Sequence, residues 1–127
     1  KDYVYAMWLM LQQKKPNNYI IATNETHSVR EFIEVVFWFC NIKVVWKGKG
    51  LQEVGVDQNN KIRIKVSKKY LRPLEIDSLK GSYNKAYKKF KWKPKHKFRD
   101  VIKLMLIHEL KVNKVDLNKY KRLIKKN

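Results

Sequence analysis

Arg72 and Glu75 are the pair whose types and spacing best suit binding chemistry. They sit in KYLRPLEID (residues 69–77), with Pro73 directly after the arginine and the carboxylate three residues on. A guanidinium presents a planar fork of donors matched to phosphate oxygens. The proline fixes its own φ and restricts the residue before it, so little backbone freedom remains to be lost on binding. A carboxylate at this distance can accept hydrogen bonds from a ribose diol. Together the two groups could grip a sugar nucleotide at its diphosphate and its ribose. A local ion pair at a surface bend, worth about 0–1 kcal/mol, explains the same spacing equally well.

Other chemistry is thinner. KGKGLQEVG holds Gly48, Gly50 and Gly55. The third glycine falls two residues late for a G-x-G-x-x-G phosphate turn, and no clean helix follows. His27, His96 and His108 lie far apart without metal-ligand spacing, so no metal site is expected and each reads as a surface or capping residue. Tyr87 and Lys91 fit Y-x-x-x-K, but lysine is so dense there that the match carries no weight. No Ser/His/Asp or Cys/His set stands out, and no catalytic residue is assigned. The stretch KAYKKFKWKPKHK (85–97) interleaves seven lysines with Tyr87, Phe90 and Trp92. Lysines on phosphates and rings on bases would suit single-stranded nucleic acid. A short helix burying its aromatics, with lysine stems packed along the apolar surface, fits the helical spacing better.

The formal net charge is +19, and lysine supplies 25 of the 30 basic residues. A nucleic-acid or anionic surface is one reading. A lysine bias at solvated positions is the other, favoured because lysine is spread along the whole chain. A small lysine-rich nucleic-acid-binding domain is therefore the alternative function. Hydrophobic content of 44% with 13% aromatics argues for one folded domain of 127 residues with a modest core. A single cysteine, Cys40, excludes a disulfide framework and reads as a buried, inert thiol in a reducing, cytoplasmic setting. No apolar run approaches the ~18 residues of a membrane span, so no membrane partner is expected. The first residues lack a signal-peptide pattern and an initiator methionine, and the chain reads as a piece of something longer.

The elements that position these residues read as mixed α and β. Val4, Met7, Trp8 and Leu11 make residues 2–13 an amphipathic helix ended by Pro16. YIIAT (19–23) predicts a buried strand. Ser28 and Glu31 match a capping box, and Phe32, Val35, Val36 and Phe39 give the next helix its inward stripe, with Asn41 as a left-handed stop. IKVVW (42–46) and IRIKV (62–66) predict strands, KGKGLQEVG a loop and VDQNNK a turn. Gly81 breaks the chain before a short helix at 83–90, and a longer helix starts near Phe98. The pattern weakens from Val112. VVFWF and the first helix both look like surfaces that pack on a larger neighbour.

Five blocks in order, KDYVYAMWLMLQ, IATNETHSVREFIE, VVWKGKGLQEVG, KYLRPLEID and KAYKKFKWKP, resemble the C-terminal part of the GDP-mannose 4,6-dehydratase family of extended short-chain dehydrogenase/reductases, from residue 1 to about 106. The resemblance implies an α/β fragment: a small mixed substrate-binding portion with short strands and about four helices, residues 1–111, followed by a basic tail, 112–127. It implies that Arg72 contacts the GDP diphosphate and Glu75 the ribose. It also implies an NADP-binding Rossmann domain upstream, which would carry the catalytic Thr/Ser–Glu–Tyr–Lys set, and a homo-oligomer at full length. The whole enzyme would oxidise the mannose at C4, lose water across C5–C6 and return the hydride to C6. This segment would bind substrate and be inactive alone. The chain departs from the family pattern at Asn24 for glycine, Val56 for arginine, Leu74 for threonine and Ser82 for aspartate. Asparagine tolerates positive φ, so the turn at 24 can survive. If the arginine at 56 helps hold phosphate, its loss removes a contact worth about 1.5–3 kcal/mol.

Overall fold

The computed structural model describes residues 1–70, 72 and 78–124. Among them the fold is mixed α/β, with five helices and a three-stranded sheet. The chain divides into two compact units, one of Lys1–His27 with Ile76–Val101 and one of Ser28–Glu75 with Ile102–Asn127.

The first unit opens on α1, Asp2–Leu11. Its one buried residue is Ala6, which forms a small core with Ala86 and Trp92. Leu9, Tyr19, Ile21, Tyr83 and Phe90 pack around that cluster. The rings meet edge to face, Tyr19 on Phe90 at 5.0 Å and Tyr83 on Trp92 at 5.9 Å, the geometry that ring quadrupoles favour. Trp92 also satisfies its buried N–H by donating to the Asp2 carbonyl at 3.1 Å. The stripe of Val4, Met7, Trp8 and Leu11 stays exposed, at 68, 58, 54 and 81%. Residues 19–23 form no strand and join no ladder among the described residues. A strand is defined by its hydrogen-bonded neighbour, and the expected one is not realised. Gly81 is a packing position: a Cβ there would stand 2.7 Å from the Ala22 Cβ. The short helix α3, Asn84–Phe90, follows and ends at Lys91 in the left-handed conformation, φ 58°.

The second unit begins with α2, Val29–Phe39. Ser28 caps it by accepting the Glu31 N–H at 3.0 Å. Val35 and Phe39 are buried, whereas Phe32 of the expected stripe is exposed. Asn41 has φ 59° and stops the helix as its sequence position suggests. The sheet has order β1–β2–β3, all antiparallel: β1 Val45–Lys47, β2 Val54–Val56 and β3 Ile62–Lys65. Trp46 pairs with Gly55, and Gly55 with Ile64. The central strand lay in the segment read as a loop. Its glycine hides the strand pattern, and it is closely packed: a Cβ at 55 would approach Ile64 Cδ1 to 2.8 Å and Val44 Cγ1 to 3.1 Å, so those side chains would have to shift. The long helix α4, Phe98–Val112, buries Ile102. The chain then makes a 3-10 turn at Leu117–Lys119 and the short α5, Lys121–Ile124, which buries Leu123.

Candidate functional site

Arg72 is reached from the sheet. β3 runs out through Val66, whose N–H returns to the Glu53 carbonyl at 3.4 Å, and a 3-10 turn at Lys68–Tyr70 delivers the chain to the arginine. Arg72 is exposed. Glu75, the other residue singled out, lies outside the described residues, together with Pro73 and Leu74.

Two ion pairs brace the frame that leads to Arg72. Asp57 is 3% exposed at the β2–β3 turn, where one carboxylate oxygen accepts the N–H of Asn59 at 2.8 Å and of Lys61 at 3.0 Å. The other accepts from Arg63 Nε at 2.8 Å. Burial pushes its pKa up, but the Lys61 N–H, the Arg63 guanidinium and the Asn59 N–H outweigh that and hold it below the ordinary value of 3.8. In the second pair, Arg30 Nη2 donates to both oxygens of Glu53 at 2.7 Å, and its guanidinium lies 4.4 Å over the Trp46 ring. Trp46 in turn donates its indole N–H to Glu34 at 2.8 Å. The reading of the sequence missed both clusters. The signal was present, since Arg30 and Arg63 are two of only five arginines in a lysine-rich chain. Val56, at the position where the family pattern has arginine, is 4% exposed and serves as an apolar core residue.

In the first unit, Asn24 takes φ 61°, the left-handed turn that glycine would make, and its Oδ1 also accepts the Tyr83 N–H at 3.0 Å. Beside it Glu25 pairs with Lys97, and its other oxygen lies 3.5 Å from His27 Nε2. The Lys97 ammonium is the main reason that the Glu25 carboxyl sits below its ordinary value. Asp2 accepts the N–H groups of Lys95 and His96 at 2.7 and 2.8 Å. His96 Nδ1 lies 3.1 Å from the second oxygen. These pairs tie loops together and do not form a catalytic set. The Lys91 N–H donates to the Tyr87 carbonyl at 2.9 Å, and its ammonium lies 5.5 Å over the Tyr87 ring.

The glycine segment does not fit a dinucleotide. Gly48 and Gly50 take φ 83° and 57°, a 3-10 turn follows at Gly50–Gln52, and the chain enters β2 rather than a helix whose N-terminus could meet a pyrophosphate. Cys40 is half-buried, and burial raises its thiol pKa. Among the described residues, no group of three or more His, Cys, Asp or Glu side chains could hold a metal ion, and no helix is long and apolar enough to cross a membrane. Of the aromatics in the lysine-rich stretch, Trp92 is 2% exposed and Phe90 packs on Tyr19, so Tyr87 alone, at 45% exposure, is open to stack.

The described residues thus form a mixed α/β fold with an exposed arginine, Arg72, on the segment that leaves the sheet. The profile of the GDP-mannose 4,6 dehydratase family matches residues 1–105, and the chain belongs to that family. A GDP-mannose 4,6 dehydratase of Drosophila melanogaster is 47% identical over 106 residues, which cover 83% of this chain and 27% of that protein. The enzyme of Dictyostelium discoideum is 45% identical over 87% of this chain and 31% of its own length. The enzyme of Homo sapiens is 42% identical over 93% of this chain and 32% of its own. The chain thus spans about a third or less of the length of these relatives. Nothing in the comparisons favours a nucleic-acid-binding domain.

Proposed function

We propose that this chain is the substrate-binding portion of a GDP-mannose 4,6 dehydratase, which converts GDP-mannose to GDP-4-keto-6-deoxymannose on the route to GDP-fucose and other deoxyhexoses. The observation that carries the reading is the family match over residues 1–105, a range that includes the Arg72 segment. Arg72 holds the diphosphate with its fork of donors, and Glu75 accepts hydrogen bonds from the ribose hydroxyls. The β2–β3 hairpin, locked by Asp57 and Arg63, supports the strand from which that segment leaves.

NADP and the groups that transfer proton and hydride belong to a Rossmann portion outside these residues. The exposed apolar face of α1, with Val4, Met7, Trp8 and Leu11, is the surface that this portion covers. An apolar helical stripe left open to water is costly and marks an interaction surface. The whole enzyme is cytoplasmic and homo-oligomeric, and residues 112–127 form a basic tail on its substrate-binding portion.

The test is an activity comparison. The full-length protein, supplied with NADP, consumes GDP-mannose and releases the 4-keto-6-deoxy product, whereas the 127-residue chain alone does neither. A full-length protein that binds NADP but leaves GDP-mannose unchanged contradicts the reading.

A further inference from the structure

A groove of about 490 Å³ opens in the first unit, lined by Asn17, Tyr19, Asn84, Lys85, Lys88 and Lys89. Lys85, Lys88 and Lys89 stand at i, i+3, i+4 on α3 and are all exposed. The Lys85 ammonium is held in place: it donates to Asn17 Oδ1 at 2.7 Å and to the Asn18 carbonyl at 2.8 Å, and it lies 5.3 Å over the Tyr19 ring. Those partners orient the charge without neutralising it. Lys88 and Lys89 have no hydrogen-bond or ion-pair partner among the described residues.

Among the described residues of this unit, the carboxylates that could balance them are engaged elsewhere. In this unit Asp2 is taken by His96 and Lys95, Glu25 by Lys97 and His27, and Asp100 accepts the Lys97 N–H at 2.9 Å. Three like charges on one helix face repel one another and destabilise the helix. A ligand bearing several negative charges would relieve that repulsion, and the groove has the volume of a small-molecule site.

We propose that this groove binds a phosphorylated small ligand through a chain of two or more phosphates, at a site separate from the Arg72 segment. Lys85 is the pre-placed cation, Lys88 and Lys89 close on the chain, and the Asn17 and Asn84 amides add donors. The inference does not depend on the substrate reading above, because it uses none of the same residues.

Titration calorimetry of the full chain with inorganic tripolyphosphate tests it. The expected result is saturable binding that weakens at least about 10-fold in Lys88→Gln/Lys89→Gln, the loss of two charge-assisted contacts. The control Lys49→Gln/Lys61→Gln removes the same charge from exposed positions in the other unit and should change affinity less than about 2-fold. Both variants alter exposed side chains, and unchanged circular dichroism checks their fold. A nucleoside triphosphate that binds more tightly than tripolyphosphate supports the site and assigns a nucleotide to it; equal affinity supports the site and assigns the bare phosphate chain. Equal weakening in both double variants, or no binding at about 50 mM salt, overturns the proposal.

Discussion

The two units of this chain use charge in different ways. In the unit of Ser28–Glu75 and Ile102–Asn127 stand Arg30, Arg63, Arg72 and Arg122, four of the five arginines. Three of them have defined planar partners. Arg30 meets Glu53 and Trp46, Arg63 meets Asp57, and Arg122 donates to the Trp38 carbonyl at 2.7 Å with its guanidinium 4.6 Å over the Trp38 ring. In the unit of Lys1–His27 and Ile76–Val101, the cations are mostly lysines, and the described carboxylates accept backbone N–H groups or meet an ammonium or a histidine. The contrast teaches that in a chain so biased towards lysine, arginine marks the positions where a flat, five-donor fork is needed. Lysine marks solvated faces and loose neutralisation. Arg72 is thereby a better candidate for a geometric task than any lysine near it.

Four changes break or sharpen this contrast. The largest effect is expected at Trp92→Ala, which empties the core of the first unit and removes the indole N–H that ties it to the Asp2 carbonyl. It should cost about 3–5 kcal/mol in urea unfolding; a loss below about 1 kcal/mol would mean that the lysine-rich unit is held by something other than this small cluster. Next comes Gly55→Ala in the sheet of the other unit. The new methyl meets Ile64 and Val44 and should cost about 1–3 kcal/mol, part of it recovered by a second change, Ile64→Val. A stability equal to the parent would show that the strand pair has room to give. The third is stabilising. Lys91 holds φ 58° at the end of α3, and Lys91→Gly should raise stability by about 1 kcal/mol, read as a higher melting temperature.

The smallest signal appears only in acid. Asp57 has a folded-state pKa below its ordinary 3.8, so the stability it contributes is fully present above 3.8 and is lost as pH falls through the lower folded value. Asp57→Asn should flatten the unfolding profile in that window, and the parent should be steeper there. Identical slopes would remove the buried pair from the account of the sheet. Asp2 and Glu25 of the first unit are also lowered, so the comparison is best made as the difference between parent and variant.

Much of the backbone was legible because single side chains carry the local signal. The hydroxyl of Ser28 announces α2, and Asn41 and Asn24 announce left-handed positions that the structure confirms at φ 59° and 61°. What stayed hidden depends on partners distant in sequence. Residues 19–23 have strand composition without a ladder, whereas Val54–Val56 form the central strand despite a glycine that breaks the pattern. The Arg30–Glu53 pair spans 23 residues, and no local period reports it. Of the proposed clamp, spacing singled out Arg72 and Glu75, and of the two only Arg72 lies among the described residues.

The clamp is tested most directly by calorimetric titration of GDP-mannose into the full-length protein, comparing the parent with Arg72→Ala and Arg72→Lys. The account predicts that alanine weakens binding by about 1.5–3 kcal/mol and that lysine recovers only part of the loss, because a point charge cannot replace the fork. Unchanged affinity in the alanine variant, with the fold intact, contradicts it.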